Sequence, residues 1–220
     1  MSKLKSVTAV LIAIFVLFVQ GASANWYAGT TQSGAYGGWA YIRTPSVPPN
    51  IVSVPDSGEY NWVDTPGPNW IQTGWGYFPG NPARAYVETC INNCNDPPGR
   101  FFQWYDVQSW GTTYDYLIDG SAASDVWCAY INGVQTKCQS IRTAPSDIYF
   151  LSEILVSSRN GLDTLFDPVY YKNANYTWQV IDQPQNFGAD FPYAVQIFTP
   201  WHFRTYRVIT FDIFLPLIMK

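Results

Sequence analysis

The chain has 220 residues, of which only 13% are charged, with 16 acidic against 12 basic residues and a single histidine, His202. Aromatic residues make up 18% of the chain, which is enough apolar surface to bury a core and excludes a disordered protein. The acidic balance excludes the basic surface of a nucleic-acid-binding protein, and a lone histidine excludes a multi-histidine metal site. We therefore expect no cofactor, no metal and no nucleic-acid partner.

Residues 1–24 have the three parts of a secretory signal peptide. Lys3 and Lys5 supply the basic start, residues 7–19 form an apolar run, and small residues at 21–24 fit a cleavage site. The apolar run is too short to cross a bilayer, so we expect no membrane anchor. The sequence thus predicts a secreted, monomeric single domain over residues 25–220.

Short aromatic and β-branched segments follow one another along the rest of the chain. They are separated throughout by 16 prolines and 16 glycines, and no segment keeps a helical period. This pattern is typical of an all-β sandwich or barrel of antiparallel strands. The predicted strands cover residues 38–44, 70–78, 84–90, 101–107, 113–118, 126–131, 134–140, 148–156, 176–181, 193–198 and 206–214.

Four cysteines in an oxidising compartment predict two disulfides. Cys128 and Cys138 each lie five residues from Gly133 of an Asn132-Gly133 turn, so a hairpin would place them opposite each other. Cys90 and Cys94 would close a short loop. Spacing alone leaves the other two pairings open, and a zinc site of four cysteines is the poorer alternative.

Two polar side chains stand out on the predicted strands. In the strand 70–78, Gln72 shares a face with Gly74 and Gly76, whose missing side chains predict space for a ligand. In the strand 148–156, Glu153 lies between two leucines on a side that we expect to face the core. A carboxylate there is costly unless it is paired or functional.

Six segments occur in a defined order along the chain. They are Asn25-Trp26-Tyr27-Ala28-Gly29, residues 39–49, Trp62-Val63, Trp70-Ile71-Gln72-Thr73-Gly74, Ala85-Tyr86-Val87-Glu88 and Ser152-Glu153-Ile154-Leu155-Val156. In this order they resemble the motifs of the glutamic peptidases, or eqolisins. The resemblance implies a two-sheet antiparallel β-sandwich of the jelly-roll type found in concanavalin-like lectins and glucanases. Its concave face would carry a catalytic pair, Gln72 and Glu153, on neighbouring strands.

The same resemblance implies that four further residues line or support the substrate site: Trp39, Trp62, Tyr86 and Glu88. Asp64 lies near the family's aspartate, but its spacing from Trp62 differs, so it is given no role.

The chemistry of amide hydrolysis suits a glutamine and a glutamate. Glu153 could take a proton from water and return it to the leaving nitrogen. Gln72 could orient the water through its carbonyl and donate an N–H to the oxyanion. The predicted function is therefore a secreted, acid-acting glutamic endopeptidase with polypeptide substrates.

Three alternatives stay open. The many Trp and Tyr residues suit a non-catalytic, lectin-like sandwich that binds carbohydrate or peptide. A glycoside hydrolase would need a second carboxylate, Glu88 or a nearby aspartate, as the partner of Glu153. In the third alternative, Gln72 makes an ordinary cross-strand hydrogen bond, and Glu153 forms an ion pair with Arg84, Arg142 or Arg159.

Overall fold

The computed structural model describes residues 26–49, 51, 57–94, 99–142, 144–155, 163–182 and 185–208. The predicted signal peptide, Arg159 and the end of the last predicted strand lie outside these ranges. The described part of the chain is built from strands and a single 3-10 turn, Asn92–Cys94, and contains no helix that could cross a membrane. The strands are β1 (Trp26–Ala35), β2 (Gly37–Arg43), β3 (Gly58–Asp64), β4 (Trp70–Tyr77), β5 (Arg84–Cys90), β6 (Arg100–Val107), β7 (Thr113–Gly120), β8 (Val126–Ile131), β9 (Val134–Ser140), β10 (Ser146–Leu155), β11 (Asp163–Lys172), β12 (Trp178–Val180), β13 (Gln185–Ala189), β14 (Tyr193–Thr199) and β15 (His202–Arg207).

The strands form two antiparallel sheets. The seven-stranded sheet has the order β13-β1-β10-β3-β4-β5-β6. The eight-stranded sheet has the order β14-β15-β11-β2-β7-β8-β9, and β12 pairs with β11. Strands that are distant in sequence therefore lie side by side, as in a jelly roll. The predicted all-β, two-sheet sandwich is confirmed.

The hydrophobic core lies between the two sheets, where alternate side chains of facing strands meet. In β10, Ile148 and Phe150 are fully buried in this core, and Ile154 is fully buried in a small separate cluster with Ala28 and Tyr193. Leu151 and Glu153 on the other side are only partly buried. The expectation that the Glu153 side faces the core is therefore wrong. Both sides of β10 carry large apolar residues, so alternation alone could not tell which side meets the second sheet.

Ten of the predicted strands are present with ends within two residues of the prediction. The last predicted strand, 206–214, is misplaced, because β15 begins at His202. Four strands were not predicted: β1, β3, β11 and β13.

Both predicted disulfides are present, between Cys90 and Cys94 and between Cys128 and Cys138, and the described residues include no free cysteine. Cys128 lies directly opposite Cys138 in the β8–β9 pair. The hairpin turns through Asn132 and Gly133, both with positive φ, of 50° and 73°. Two such residues are what a two-residue hairpin loop requires, and the loop pairs Ile131 with Val134. A register shift between Ala129 and Tyr130 then brings Cys128 opposite Cys138.

Candidate active site

The candidate catalytic residues lie on the outer face of the seven-stranded sheet. Glu153 on β10 is opposite Tyr60 on β3, and Tyr60 is in turn opposite Gly76 on β4. Gln72 on β4 is opposite Asp64 on β3, four residues along from Tyr60. Because residues that are directly opposite share a face, Gln72 and Glu153 share one as well.

The two strands that carry this pair are not neighbours. Strand β3 lies between β10 and β4, so the pair flanks it diagonally. The expectation of neighbouring strands is therefore wrong. The physical cause is that the segment 58–64 lacks apolar alternation, so the sequence does not predict a strand there. The insertion of β3 between β10 and β4 therefore does not follow from the sequence.

Gln72 belongs to a hydrogen-bonded chain that runs through the buried Glu88 to the largely exposed Arg100. Its Nε2 donates to Oε2 of Glu88 on the adjacent strand over 2.9 Å, and Nε of Arg100 donates to Oε1 of the same carboxylate. Burial raises the pKa of Glu88, against the lowering effect of the Arg100 charge and of both hydrogen bonds. An amide has two N–H hydrogens and one carbonyl, so Gln72 keeps one N–H and its carbonyl for another partner.

Asp64 is a carboxyl group whose surroundings favour its neutral form. Its Oδ1 is buried and accepts no hydrogen bond from the described residues, although the side chain keeps some exposed surface. Burial raises its pKa to about 8, opposed by the Arg142 charge and reinforced by Glu88 and Glu153. The indole of Trp62 lies near enough to lower this pKa somewhat, but its N–H does not reach hydrogen-bonding geometry.

Glu153 and Glu88 act electrostatically on the same neighbours. Burial, followed by the negative charges of these two residues, raises the pKa of Tyr60 and of Tyr86. Both carboxylates also raise the pKa of Asp64. We call Tyr60, Tyr86, Asp64 and the two glutamates the acidic centre, because the pKa of each of the first three is raised by both glutamates.

Four aromatic rings, two of them from the acidic centre, pack together on the same face. The ring of Tyr86 is fully buried, with its centroid 5.2 Å from that of Tyr60, 5.5 Å from that of Phe102 and 5.8 Å from that of Trp104. The last three rings keep part of their surface exposed. Tyr60, Phe102 and Trp104 are thus the rings that a ligand could touch, and the sequence did not single them out.

Three residues expected at the substrate site lie beneath that surface. Trp62, Tyr86 and Glu88 keep 4%, 0% and 5% of their surface exposed. This burial suits support of Gln72 and Glu153 better than direct contact with substrate.

Trp39 lies elsewhere. It is on β2 of the eight-stranded sheet, where its ring stacks on Tyr170 with centroids 5.0 Å apart. Its strand neighbours Ala40 and Ile42 point into the core, so the alternate position of Trp39 faces outward from the second sheet. The expectation that Trp39 lines the same site is therefore wrong.

The two glycines beside Gln72 serve packing. A Cβ on Gly74 would lie 1.8 Å from the carbonyl oxygen of Asn61, so the glycine lets β3 approach closely. A Cβ on Gly76 would lie 2.8 Å from the ring of Tyr60 and 2.9 Å from that of Trp104, which occupy the space above it. The expected open space for a ligand at these glycines is thus filled by aromatic rings.

Two of the suggested ion-pair partners of Glu153 donate hydrogen bonds to backbone carbonyls. Nε of Arg84 donates to the carbonyl of Tyr105 over 3.0 Å, and Nη2 of Arg142 donates to the carbonyls of Pro66 and Asn69. Arg142 thereby holds the turn between β3 and β4, the two strands that carry Asp64 and Gln72. Within the described ranges, no group of three or more His, Cys, Asp or Glu side chains is arranged to hold a metal ion.

Comparison with known proteins identifies the architecture. No protein-family model matches the sequence, and no curated protein matches it significantly. Among solved structures, Scytalido-glutamic peptidase bound to a peptide-based transition-state analog aligns with a TM-score of 0.62 and 11% identity, over 84% of this chain and 98% of that chain. The chain has the fold of the glutamic peptidases.

A second structure supports the same conclusion. SCP-B, a member of the eqolisin family in complex with the tripeptide Ala-Ile-His, aligns with a TM-score of 0.61 and 11% identity, over 84% of this chain and 98% of that chain. The sandwich implied by the resemblance to the glutamic-peptidase family is therefore confirmed as a fold.

Proposed function

We propose that this protein is a secreted, acid-acting glutamic endopeptidase in which Glu153 and Gln72 hydrolyse a peptide bond. The observation that carries the proposal is that both residues share one outer face of a glutamic-peptidase fold, around one acidic centre. Solved proteins with this fold bind a peptide-based transition-state analog and a tripeptide. Secretion is supported by the two disulfides.

In the proposed mechanism, Glu153 is the general base and then the general acid. As a carboxylate it takes a proton from a water molecule, whose oxygen forms a bond to the peptide carbonyl carbon. The same proton then passes from Glu153 to the amide nitrogen as the C–N bond breaks. One residue thus serves both steps.

Gln72 stabilises the charge that develops on the carbonyl oxygen. Its bond to Glu88 fixes the amide plane, which leaves its second N–H to donate to the oxyanion. Arg100 holds Glu88 in turn. Gln72 therefore needs little rearrangement during the reaction.

The preference for acid follows from the groups around this pair. Asp64, with a pKa of about 8, is neutral at acidic pH, and burial raises the pKa of Glu88 as well. A neutral Asp64 removes negative charge that would oppose the oxyanion. Activity is expected where Glu153 is still ionised while Asp64 is neutral.

The test is cleavage of a denatured protein by the chain without residues 1–24, over a pH series. Glu153→Gln should lower kcat by at least about 100-fold, the usual contribution of a general base. Asp147→Asn is the matched control, because Asp147 is an exposed carboxylate on the same strand and by alternation on the same side. Full activity of Glu153→Gln, with thermal unfolding unchanged, would refute the mechanism.

A second function is favoured by the partly exposed rings of Tyr60, Phe102 and Trp104. Aromatic faces stack on sugar rings and pack against peptide chains, so the same face could serve a non-catalytic carbohydrate- or peptide-binding protein. Such a protein would retain its ligand without forming product. It would lose affinity on the change Trp104→Ala.

A further inference from the structure

A small cavity lies on the candidate catalytic face, at the end towards β5 and β6. Its volume is about 180 Å³, and Gly76, Phe78, Arg84 and Trp104 contribute to its lining. Arg84 stands in the same cross-strand row as Glu153, because Glu153 is opposite Tyr60, Tyr60 is opposite Gly76 and Gly76 is opposite Arg84. The cavity and the candidate catalytic residue are therefore on one path across the sheet.

The distance along this path fits a bound peptide. Neighbouring strands lie about 4.8 Å apart, so Gly76 is about 10 Å and Arg84 about 14 Å from Glu153 along the row. An extended peptide advances about 3.3 Å per residue. A substrate lying across the strands with its scissile bond at Glu153 would thus place a side chain in the cavity about three or four residues away.

Two aromatic rings, a proline (Pro82) and a polar side chain (Asn81) line the cavity together with Gly76 and Arg84. The rings of Phe78 and Trp104 meet edge to face with centroids 5.9 Å apart, and the backbone of Gly76 adds no side chain. These rings can pack against the methylene groups of a substrate side chain. The cavity thus suits the methylene groups of a substrate side chain.

Arg84 supplies the single charge in the lining. Its Nε is fixed by the carbonyl of Tyr105, which leaves both terminal nitrogens as donors. No carboxylate of the described residues forms an ion pair with it, in contrast to Arg100 and Arg204, which pair with Glu88 and Asp163. A guanidinium with free terminal nitrogens matches a carboxylate in a bidentate arrangement.

We propose that this cavity is a specificity site that binds an aspartate or glutamate side chain of the substrate, with its carboxylate on Arg84 and its stem between Phe78 and Trp104. The inference rests on the proposed peptidase function and names a substrate preference for it. Lysine and arginine are disfavoured there by like charge. Acidic residues at the scissile bond itself are disfavoured by the negative charge of Glu153, so the preference is confined to the distant position.

The experiment uses peptides that differ at one residue, which is Glu, Gln or Lys, with that residue moved stepwise along either side of the cleaved bond. At about pH 5, where a glutamate side chain is ionised, kcat/KM should be about 10-fold higher for Glu than for Lys at one position three or four residues away. Gln should lie between them. The difference should shrink at high salt, because the charges are near solvent.

Variants assign the effect to the cavity. Arg84→Gln should abolish the preference for Glu over Lys, and Arg84→Glu should reverse it. Arg204→Gln, an exposed arginine on the other sheet, should leave the preference unchanged. Thermal unfolding confirms that each variant is folded.

The outcomes separate the two proposals. Cleavage without a charge preference, or a preference that survives Arg84→Gln, overturns the specificity site and leaves the peptidase proposal standing. If no peptide is cleaved, the peptidase proposal fails, and binding of the Glu and Lys peptides is then compared by tryptophan fluorescence. Equal affinity in that assay overturns the site as well, whereas tighter binding of the Glu peptide supports it.

Discussion

The neutral state of Asp64 makes a prediction about stability that does not depend on the function. Its pKa is about 8 in the folded protein, against an ordinary value of 3.8. Between these values the folded protein holds a proton that the unfolded chain has released. Stability from this group is therefore fully present below about pH 4 and is lost as the pH rises through about 8.

The size of the effect follows from the difference between the two pKa values. At about 1.4 kcal/mol per pKa unit, four units set an upper limit of about 6 kcal/mol. Asp64 keeps some exposed surface, and the effective dielectric constant around it is higher than in a dry interior. We therefore take about half of this limit as the free-energy cost of ionising Asp64 in the folded protein. We expect the wild type to lose about 2–3 kcal/mol of unfolding free energy from this group between pH 4 and pH 9.

The perturbation is Asp64→Asn, which keeps the shape of the side chain and removes its ionisation. The free energy of unfolding is measured by urea denaturation at several pH values. The variant should match the wild type near pH 4 and exceed it by about 2–3 kcal/mol at pH 9. The unfolding free energy of Asp147→Asn, a change at an exposed carboxylate, should vary with pH in parallel with that of the wild type. Parallel curves for Asp64→Asn and the wild type would refute the neutral, buried state of Asp64.

Two further predictions test the support of the site. Arg100→Gln should lower kcat about 10-fold, because it loosens Glu88 and hence Gln72, while the largely exposed arginine contributes little to the unfolding midpoint. An unchanged kcat would contradict the role of Glu88 in orienting Gln72. Gly74→Ala should reduce the free energy of unfolding in urea by about 2–4 kcal/mol, because its methyl group would meet the Asn61 carbonyl. Gly188→Ala is the control: its methyl group would meet no atom within 4 Å, so the free energy of unfolding should change little.

Strand β3 shows where the sequence pattern stops being informative. Its inward-facing residues include Glu59 and Asn61, which are fully buried although both are polar. Nδ2 of Asn61 and Oγ1 of Thr164 donate to Oε1 of Glu59 over 3.0 and 3.2 Å. The bond from Thr164 comes from a distant part of the chain. With polar residues at these inward positions, the segment lacks the apolar alternation by which a strand is predicted.

The unpredicted β1 and β11 have different causes. Strand β1 contains two glycines and several small polar residues and no aliphatic alternation. Strand β11 contains Pro168, which normally argues against a central strand, and the structure accommodates it with a register shift between Phe166 and Val169. By contrast, the hairpin of β8 and β9 was predicted to the residue, because a local Asn-Gly turn defines it.

The candidate site shows a similar limit. The sequence motifs singled out Gln72 and Glu153, which lie on one outer face of the sheet, but alternation assigned Glu153 to the core-facing side of its strand, which the structure contradicts. The partners Tyr60, Trp104 and Arg100 depend on which strands pair across the sheet. That pairing joins residues far apart in sequence, which local periodicity does not encode.

Buried polar residues on the inner side of β3 and β10 fix the register between these two strands. Oγ of Ser152, the residue next to Glu153, donates to Oδ1 of Asn61 and shares a 2.7 Å hydrogen bond with Oγ1 of Thr205 on the second sheet. A shift of one residue between β3 and β10 would break these bonds and turn Glu153 into the sandwich. Because unmet buried polar groups are costly, the network selects one register. Polar groups inside the sandwich therefore hold Glu153 on the same outer face as Gln72.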